Sequence, residues 1–281
     1  MSVTAAQGFR AAGVRAGLKA SGKPDLALVV NDGPLDTAAG VFTTNRVVAA
    51  PVVWSRRLLA GPEGGQPGRA RAVVLNSGSA NACTGTQGMH DTEATAARTA
   101  GLLGAEPGQV LVCSTGVIGE RIDMPVLLEG VDVAALALAD TSQAGTDAAT
   151  AIMTTDTVSK EDALTIGAGD QGWTIGGMIK GVGMLAPGMA TMLAVITTDA
   201  ALTPQQAQDA LASATARTVN RINSDGCMST NDTVLLLASG ASGTTPSRAE
   251  LDEALTEVMS RLGRRLVADA EGATHDIAIT V

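Results

Sequence analysis

The sequence predicts a layered α/β fold, because short apolar runs typical of buried strands alternate along the chain with alanine-rich stretches of helical pattern. Hydrophobic residues make up 45% of the 281 residues, which is enough for a sizeable core. Aromatic residues make up only 1%. We therefore expect a core of many small aliphatic contacts between closely packed elements.

The first half of the chain contains three predicted strands and one predicted helix. Residues 26–30 and 72–76 are apolar runs of strand length, and residues 92–100 have a helical pattern rich in alanine. A turn at residues 106–108 contains Pro-Gly and leads into a third strand at residues 109–113. This order of elements is typical of an α/β unit.

The second half continues the alternation and ends on an apolar residue. The predicted elements are a strand at 191–198, a helix at 204–217 with Thr203 as N-cap, a strand at 233–238, a helix at 250–268 and a final strand at 276–281. The last strand has neither a cap nor a tail. We therefore expect the natural protein to continue beyond Val281.

The net charge and the scarcity of aromatic residues argue against a nucleic-acid partner. The chain carries a formal net charge of −9, whereas a nucleic-acid binder needs a basic patch and, for single strands, stacking side chains. No apolar run reaches the length of about 18–20 residues that a helix needs to cross a bilayer. The N-terminal residues lack a basic region followed by an apolar one, so we expect a cytoplasmic protein with no membrane contact.

Cysteine and histidine are rare and unpromising as catalysts. Cys83, Cys113 and Cys227 are an odd number without metal-ligand spacing, which favours a reducing compartment. Cys113 ends an apolar run and is predicted to be a small buried hydrophobe. The two histidines, His90 and His275, lie in polar stretches, as surface histidines do. If the chain uses a nucleophile, its base is therefore expected to come from the backbone.

Thr191 is the candidate nucleophile. It follows Ala190 at the end of a Gly/Pro-rich bend, Lys180-Gly-Val-Gly-Met-Leu-Ala-Pro-Gly-Met-Ala190, and precedes an apolar run. Cleavage before Thr191 would free an α-amine with an ordinary pKa of about 7.7–8.0, which could activate the hydroxyl. The alternative is a packed threonine in a loop that enters a buried strand.

Two further segments offer polar groups that acyl transfer would need. Thr115 and Gly116 follow a strand, where a hydroxyl and a backbone N–H could hold an oxyanion; the alternative is a strand-to-helix turn with Thr115 as a cap. Thr154 lies in Met-Thr-Thr-Asp-Thr, residues 153–157, a cluster that could contact a zwitterionic substrate. A turn with internal hydrogen bonds would look the same.

Two charged residues could bind the ends of an amino-acid substrate. Lys180 precedes the Gly/Pro-rich bend and could pair with a carboxylate, although a solvated surface lysine has the same pattern. Glu271 could receive an ammonium group. The alternative is an acid at the end of a helix, where its charge opposes the helix dipole.

Taken together, these segments resemble the glutamate N-acetyltransferase, or ornithine acetyltransferase, family of arginine biosynthesis (ArgJ). The resemblance spans nearly the whole chain, and its motifs occur in the family's order. They are Asn76-Ser-Gly-Ser-Ala-Asn-Ala-Cys-Thr-Gly85, Cys113-Ser-Thr-Gly116, Met153-Thr-Thr-Asp-Thr157, Lys180-Gly-Val-Gly-Met-Leu-Ala-Pro187, Ala190-Thr-Met-Leu193, Asn231-Asp-Thr-Val234 and Asp269-Ala-Glu-Gly272.

The resemblance implies a self-processing α/β sandwich of the N-terminal-nucleophile type. It implies cleavage between Ala190 and Thr191 into an α chain, residues 1–190, and a β chain from residue 191. Thr191 would then be the nucleophile, and Thr115 and Gly116 the oxyanion hole. Substrate contacts would come from the same Thr191 together with the residues Thr154, Lys180 and Glu271.

The implied reaction is a ping-pong transfer of acetyl from N-acetylornithine to glutamate. The resemblance implies no metal or organic cofactor, and some family members also use acetyl-CoA. It implies an assembly of two α and two β chains. Family members continue past the position of Val281 and use an asparagine and a serine or threonine there, so the β chain is expected to be truncated in this sequence. Two alternatives remain: an N-terminal-nucleophile aminopeptidase or amidohydrolase of related fold, with water as acceptor, and an uncleaved α/β protein that binds a small molecule without catalysis.

Overall fold

The computed structural model describes residues 2–61, 67–169, 172–184, 192–275 and 277–279. Within these ranges nine strands and six α-helices are found. The strands are β1 (Phe9–Val14), β2 (Leu26–Asn31), β3 (Thr37–Phe42), β4 (Ala72–Ser79), β5 (Val110–Val117), β6 (Lys160–Ile166), β7 (Trp173–Lys180), β8 (Leu193–Thr198) and β9 (Thr233–Ala238). The helices are α1 (Ala50–Ala60), α2 (Gly85–Leu103), α3 (Met124–Leu136), α4 (Ser142–Ala151), α5 (Pro204–Arg217) and α6 (Arg248–Ala268).

The strands form two sheets. One has the order β1-β2-β4-β5 and the other the order β3-β9-β8-β7-β6. Each sheet contains one parallel pair, β4 with β5 in the first and β8 with β9 in the second, and the remaining pairs are antiparallel. The strands on both sides of the expected cleavage position therefore share the second sheet.

The two sheets face each other across a shared core, and helices cover their outer faces. Leu193 and Val195 of β8 pack against the first sheet, whereas Ala194 and Ile196 belong to the core under α5 and α6. This alternation follows from the two-residue period of a strand. The outer face of the first sheet packs on α2 and α3. The result is a four-layer α/β sandwich, which confirms the predicted fold class.

Local signals fix the helix boundaries near the second sheet. Thr203 and Gln206 form a reciprocal capping box at the start of α5, and Pro204 occupies its first turn. Ser247 and Glu250 form the same motif at the start of α6. The predicted helix 204–217 is confirmed residue for residue, and α6 begins two residues earlier than predicted.

Two predictions about strands need correction. Residues 277–279 of the predicted final strand have no regular structure, and the isoleucines Ile277 and Ile279 are exposed. Residues 276, 280 and 281 lie outside the described ranges. A strand needs a partner edge, and within the described ranges no strand pairs with this segment. The strand predicted at 109–113 runs on through Val117, so it includes Thr115 and Gly116.

Within the described residues no helix is both long enough and apolar enough to span a membrane.

Candidate active site

A cavity of about 740 Å³ lies beyond the carboxyl ends of β4, β5 and β7. Five of the predicted site residues line it: Thr115, Gly116, Thr154, Lys180 and Glu271. They come from separate parts of the chain, and the fold brings them together. Ala190 and Thr191, the predicted cleavage site and nucleophile, lie outside the described residues. The described chain reaches the cavity wall at Met184 and resumes at Met192.

Thr115 and Gly116 form the end of β5 and not a turn after it. Gly116 pairs with Gly78 of the parallel strand β4 and has a φ of +133°, which favours glycine. A Cβ at Gly116 would lie 2.3 Å from the carbonyl carbon of Gly78. Glycine is therefore required for the close approach of the two strands. Thr115 is buried, and both residues line the cavity.

Asn231 connects this strand end to the second sheet. Its side-chain amide donates to the carbonyl oxygens of Ala80, at 2.6 Å, and of Ser114, at 2.8 Å. Asn231 is itself buried, just before β9. The contact fixes the backbone next to Thr115 relative to the strands that follow residue 191. The sequence contains this asparagine in a recognised motif, but nothing in the local pattern indicates that it bridges two sheets.

Lys180 is a buried ammonium group in the cavity wall and not a surface lysine. Its side chain is 1% exposed, and Nζ donates to the hydroxyl of Thr154 at 3.0 Å. Burial lowers the pKa of Lys180 to about 8, although the charges of Asp156 and Asp232 work in the opposite direction. At pH 7 the lysine is still mainly protonated and can receive a carboxylate.

Asp156 organises the segment that carries Thr154. One of its carboxylate oxygens accepts from the N–H of Thr154 at 3.0 Å, and the other accepts from the N–H of Gly181 at 2.8 Å. The turn with internal hydrogen bonds and the cavity-facing hydroxyl are thus both present, and neither excludes the other. Burial works to raise the pKa of Asp156, but the Lys180 charge and the hydrogen bonds that it accepts lower it.

A buried ion cluster of Lys160, Asp156 and Asp269 supports the cavity wall that carries Thr154 and Lys180. Lys160 is 0% exposed, and its Nζ lies 2.7 Å from Asp156 Oδ1 and 2.5 Å from Asp269 Oδ2. Asp269 also accepts from the N–H and the hydroxyl of Thr157. The cluster therefore holds the 153–157 segment against the chain that leads to Glu271. Sequence reasoning missed it, since a Lys-Glu-Asp run is typical of a solvated surface.

Glu271 is exposed at the mouth of the cavity. Its backbone N–H donates to the carbonyl of Val182 at 2.8 Å, which ties the segment after α6 to the segment after β7. A Cβ added at Gly183 would lie 3.2 Å from a carboxylate oxygen of Glu271. The carboxylate thus faces the Gly-rich segment, and an amino group bound in the cavity could reach it.

Asp232 is a further acidic residue, and it contacts Met192, the residue that follows Thr191 in the sequence. It is 0% exposed, and its Oδ1 accepts from the N–H of Met192 at 3.1 Å. Burial raises the pKa of Asp232 to about 7, against the hydrogen bonds that it receives and the charge of Lys180. The sequence motif Asn231-Asp232-Thr233 contains this residue, but its role was not predicted.

The predictions for Cys113 and for the two histidines are confirmed. Cys113 is buried, and desolvation raises the pKa of its thiol to about 12. His90 and His275 are exposed. Among the residues that the structure describes, no group of three His, Cys, Asp or Glu side chains is placed to hold a metal ion.

Two facing sheets under helical layers, with a cavity at the strand ends that several polar and charged side chains line, define a fold class. The L-aminopeptidase D-Ala-esterase/amidase of Ochrobactrum anthropi, described as a variant of the Ntn hydrolase fold, superposes with a TM-score of 0.57. The match covers 97% of this chain and 88% of that one at 12% sequence identity. The chain therefore has the fold of the N-terminal-nucleophile hydrolases.

The family is more specific than the fold. The model of the ArgJ family matches residues 10–281. The arginine biosynthesis bifunctional protein ArgJ of Bifidobacterium longum is 58% identical over 100% of this chain and 70% of its own length. The structure of ornithine acetyltransferase of Mycobacterium tuberculosis, complexed with ornithine, is 50% identical with a TM-score of 0.62, over 68% of this chain and 96% of that one. The chain belongs to the ArgJ family of arginine biosynthesis, as its motifs predict.

Proposed function

We propose that this protein transfers an acetyl group from N2-acetyl-L-ornithine to L-glutamate through an acyl-enzyme on Thr191. The observation that supports the proposal is the convergence of Thr115, Gly116, Thr154 and Lys180 on one cavity, whose wall also contains Met184, the last described residue before Thr191. The cavity offers a buried cation for a carboxylate and exposed acids for an amine. Both substrates carry such groups.

The nucleophile is made by cleavage between Ala190 and Thr191. The new N-terminal amine lies on the same residue as the hydroxyl and can take its proton, which a histidine does in other acyl-transfer enzymes. The exposed positions of His90 and His275 support a base of this kind. The two chains remain associated after cleavage because β8 and β9 lie between β3 and β7 in one sheet. Association into a tetramer of two α and two β chains belongs to the same proposal.

Acetyl transfer then proceeds in two half-reactions. The Thr191 oxygen attacks the acetyl carbonyl, and the hydroxyl of Thr115 and the N–H of Gly116 stabilise the negative charge that develops on the carbonyl oxygen. The C–N bond breaks, and the α-nitrogen of ornithine leaves with the proton taken from the threonine. In the second half-reaction the amine of glutamate attacks the threonine ester, and the Thr191 hydroxyl is regenerated.

Charge complementarity orients the α-carboxylate of both substrates in the same way. The Lys180 ammonium pairs with the α-carboxylate that ornithine and glutamate share, and Thr154 is held beside it by a direct hydrogen bond. Glu271 at the mouth binds the side-chain amino group of N-acetylornithine. The buried cation is the stronger anchor, because a charge pair in a water-poor wall is less screened than an exposed one.

The test combines mass spectrometry with an acetyl-transfer assay in the full-length protein. For the present chain, 28.1 kDa over 281 residues is about 0.1 kDa per residue, so cleavage after residue 190 gives fragments of about 19 and 9 kDa. Thr191→Ala should remain whole and inactive, whereas Thr191→Ser keeps a hydroxyl and should retain part of both functions. Freshly purified active protein that runs as one uncleaved chain would refute the mechanism.

The acceptor distinguishes this proposal from the aminopeptidase alternative. With N-acetylornithine as donor, transfer predicts N-acetylglutamate that accumulates in proportion to added glutamate. An aminopeptidase or amidohydrolase would release free acetate or amino acid at a rate independent of glutamate. Acetyl-CoA, offered as donor in a parallel reaction, tests whether the second donor is accepted.

A further inference from the structure

The two substrates of the proposed reaction differ in the charge at the end of their side chains. N-acetylornithine carries an ammonium group there, and glutamate carries a carboxylate. In both molecules the terminal nitrogen or oxygen is four covalent bonds from Cα. Both are L-amino acids whose α-nitrogen must lie at the same acetyl carbon while the α-carboxylate pairs with Lys180, so their side chains extend in the same direction. One part of the cavity must therefore accept groups of opposite charge.

The cavity holds several acidic groups that can bind the ammonium end. Glu120, Asp225 and Glu271 all line it, and all three residues are exposed. A glutamate side chain that enters this part of the cavity meets carboxylates, and like charges repel each other. A cation close to these acids is needed if glutamate is to bind as the acceptor.

Lys19 supplies a cation in the cavity wall. Among the described residues that line the cavity, Lys19 and Lys180 are those with a positively charged side chain. Lys180 already pairs with the α-carboxylate in the proposed reaction. Lys19 is partly buried, and its Nζ donates to the carbonyl oxygens of Met153 at 2.6 Å and of Pro24 at 2.8 Å. An ammonium group has three N–H donors, so within the described structure one remains for a ligand.

The two lysines are close enough for one glutamate to contact both. Nζ of Lys180 donates to Thr154 Oγ1 at 3.0 Å, and Thr154 follows Met153, whose carbonyl accepts from Lys19. Apart from burial, the charges of Lys160 and Lys19 lower the pKa of Lys180, as expected for cations near one another. A single peptide unit connects the ammonium groups of Lys19 and Lys180, so their nitrogens lie within about 11 Å of each other. An extended glutamate with one carboxylate on each ammonium spans about 12 Å between the nitrogens.

We propose that Lys19 selects glutamate as the acetyl acceptor by binding its side-chain carboxylate, an inference that rests on the proposed acetyl transfer. Glu271 binds the ammonium end of N-acetylornithine in the first half-reaction, and Lys19 binds the carboxylate end of glutamate in the second. No covalent bond to Lys19 forms or breaks. The two residues thus act on the same part of the cavity at different steps, and each matches one of the two charges.

The position of Lys19 does not depend on its own ammonium group. Asp25, which is buried just before β2, accepts from the backbone N–H groups of Ala16 at 2.6 Å, Gly17 at 3.1 Å and Lys19 at 2.9 Å. These main-chain contacts tie the segment that carries Lys19 to the first sheet. A substitution of Lys19 should therefore remove the charge and leave this part of the wall in place.

The first experiment measures each half-reaction of the full-length enzyme separately. In ping-pong kinetics, kcat/KM for a substrate reports the half-reaction that this substrate enters. Lys19→Met should lower kcat/KM for glutamate by about 10–100-fold, the usual effect of losing a hydrogen bond between charged groups. It should leave kcat/KM for N-acetylornithine within a few-fold of the parent. Lys23→Met is the matched control, because Lys23 is exposed in the same loop and does not line the cavity; both values should stay at the parental level.

A second acceptor, glutamine, shows whether the charge of Lys19 matters. Glutamine has nearly the shape of glutamate, but its side chain is neutral. The parent should prefer glutamate, and Lys19→Met should reduce this preference by the factor by which it lowers kcat/KM for glutamate. Lys19→Gln keeps an N–H donor for the carbonyls of the wall and should lose the preference as well. Lys19→Arg keeps the charge and should retain most of it.

Three results would overturn the inference. One is a parent enzyme that does not prefer glutamate to glutamine. Another is a Lys19→Met or Lys19→Gln variant that keeps the parental preference. The third is an equal loss of kcat/KM for N-acetylornithine and for glutamate, which a purely structural role of Lys19 would produce. If the parent forms no N-acetylglutamate at all, acetyl transfer to glutamate is itself wrong, and this outcome separates failure of the proposed function from failure of the inference.

Discussion

Replacement of Lys160 by methionine tests whether the buried ion cluster holds the cavity wall. The substitution removes an ammonium group that lies 2.7 Å from Asp156 Oδ1 and 2.5 Å from Asp269 Oδ2, and leaves two carboxylates facing each other. Removal of one partner from a buried pair costs about 3–5 kcal/mol. Because Asp269 is only partly buried, we expect the lower end, about 3 kcal/mol, which corresponds to a loss of about 6 °C in Tm for a chain of this size.

The assay is unfolding by urea and by heat at pH 7.5, with Lys23→Met as control. Lys23 is exposed, and its substitution should change the unfolding free energy by less than about 0.5 kcal/mol. The pKa values of Asp156 and Asp269 lie below the ordinary value in the parent, so their contribution to stability is present above about pH 4 and is lost as pH falls further. In the variant, lowering the pH instead protonates the unpaired carboxylates of Asp156 and Asp269 and so removes their mutual repulsion.

The difference between parent and variant should therefore narrow towards pH 4. Asp156 also binds the N–H groups of Thr154 and Gly181, so the variant should show a higher KM for both substrates as well. A loss below about 1 kcal/mol at pH 7.5, or a difference that stays constant down to pH 4, would show that the cluster does not carry the stability that its geometry indicates.

Three further predictions concern the full-length enzyme. Thr115→Val should lower kcat by about 10²–10³, the usual cost of one oxyanion donor, with an unchanged Tm; near-normal turnover would exclude Thr115 from the site. His90→Ala and His275→Ala should each leave kcat within a few-fold of the parent, and a collapse of activity with cleavage intact would identify a histidine base. KM should rise above about pH 8 as the Lys180 ammonium loses its proton, and a flat profile of KM from pH 7 to 9 would argue against a charge pair with the substrate carboxylate.

The elements that could be predicted from the sequence are those with local signals. The helix 204–217 carries its capping box within four residues, and the strand 233–238 is an uninterrupted apolar run. The prediction of a strand at residues 277–279 was wrong because strand formation depends on a partner strand, and a short apolar pattern does not specify one. The sequence did not predict that β5 extends through Gly116, for a similar reason: pairing with β4 continues the strand beyond its apolar run.

In the candidate site, too, local sequence motifs could be predicted and long-range contacts could not. Motif order was sufficient to select Thr115, Gly116, Thr154, Lys180 and Glu271, and the fold gathers them around one cavity. The burial of the lysines could not be predicted, because it depends on packing across the fold, even though one partner of Lys160, Asp156, is only four residues away. Lys160 and its partner Asp269 are 109 residues apart. No local pattern reports such a contact, and the same holds for the hydrogen bond from residue 192 to residue 232.

The order of strands in the second sheet has a consequence for how such a protein can be produced. The strands β8 and β9 lie between β3 and β7, so a polypeptide that stopped at residue 190 would have two separated sheet edges with nothing to join them. Exposed edges of this kind favour aggregation. The first 190 residues and the residues that follow should therefore be synthesised as one polypeptide. Expression of the two parts from separate genes should yield insoluble protein. If the chain is cleaved after residue 190, it must fold before it is cleaved. New termini at this position would then show that the uncleaved chain had folded.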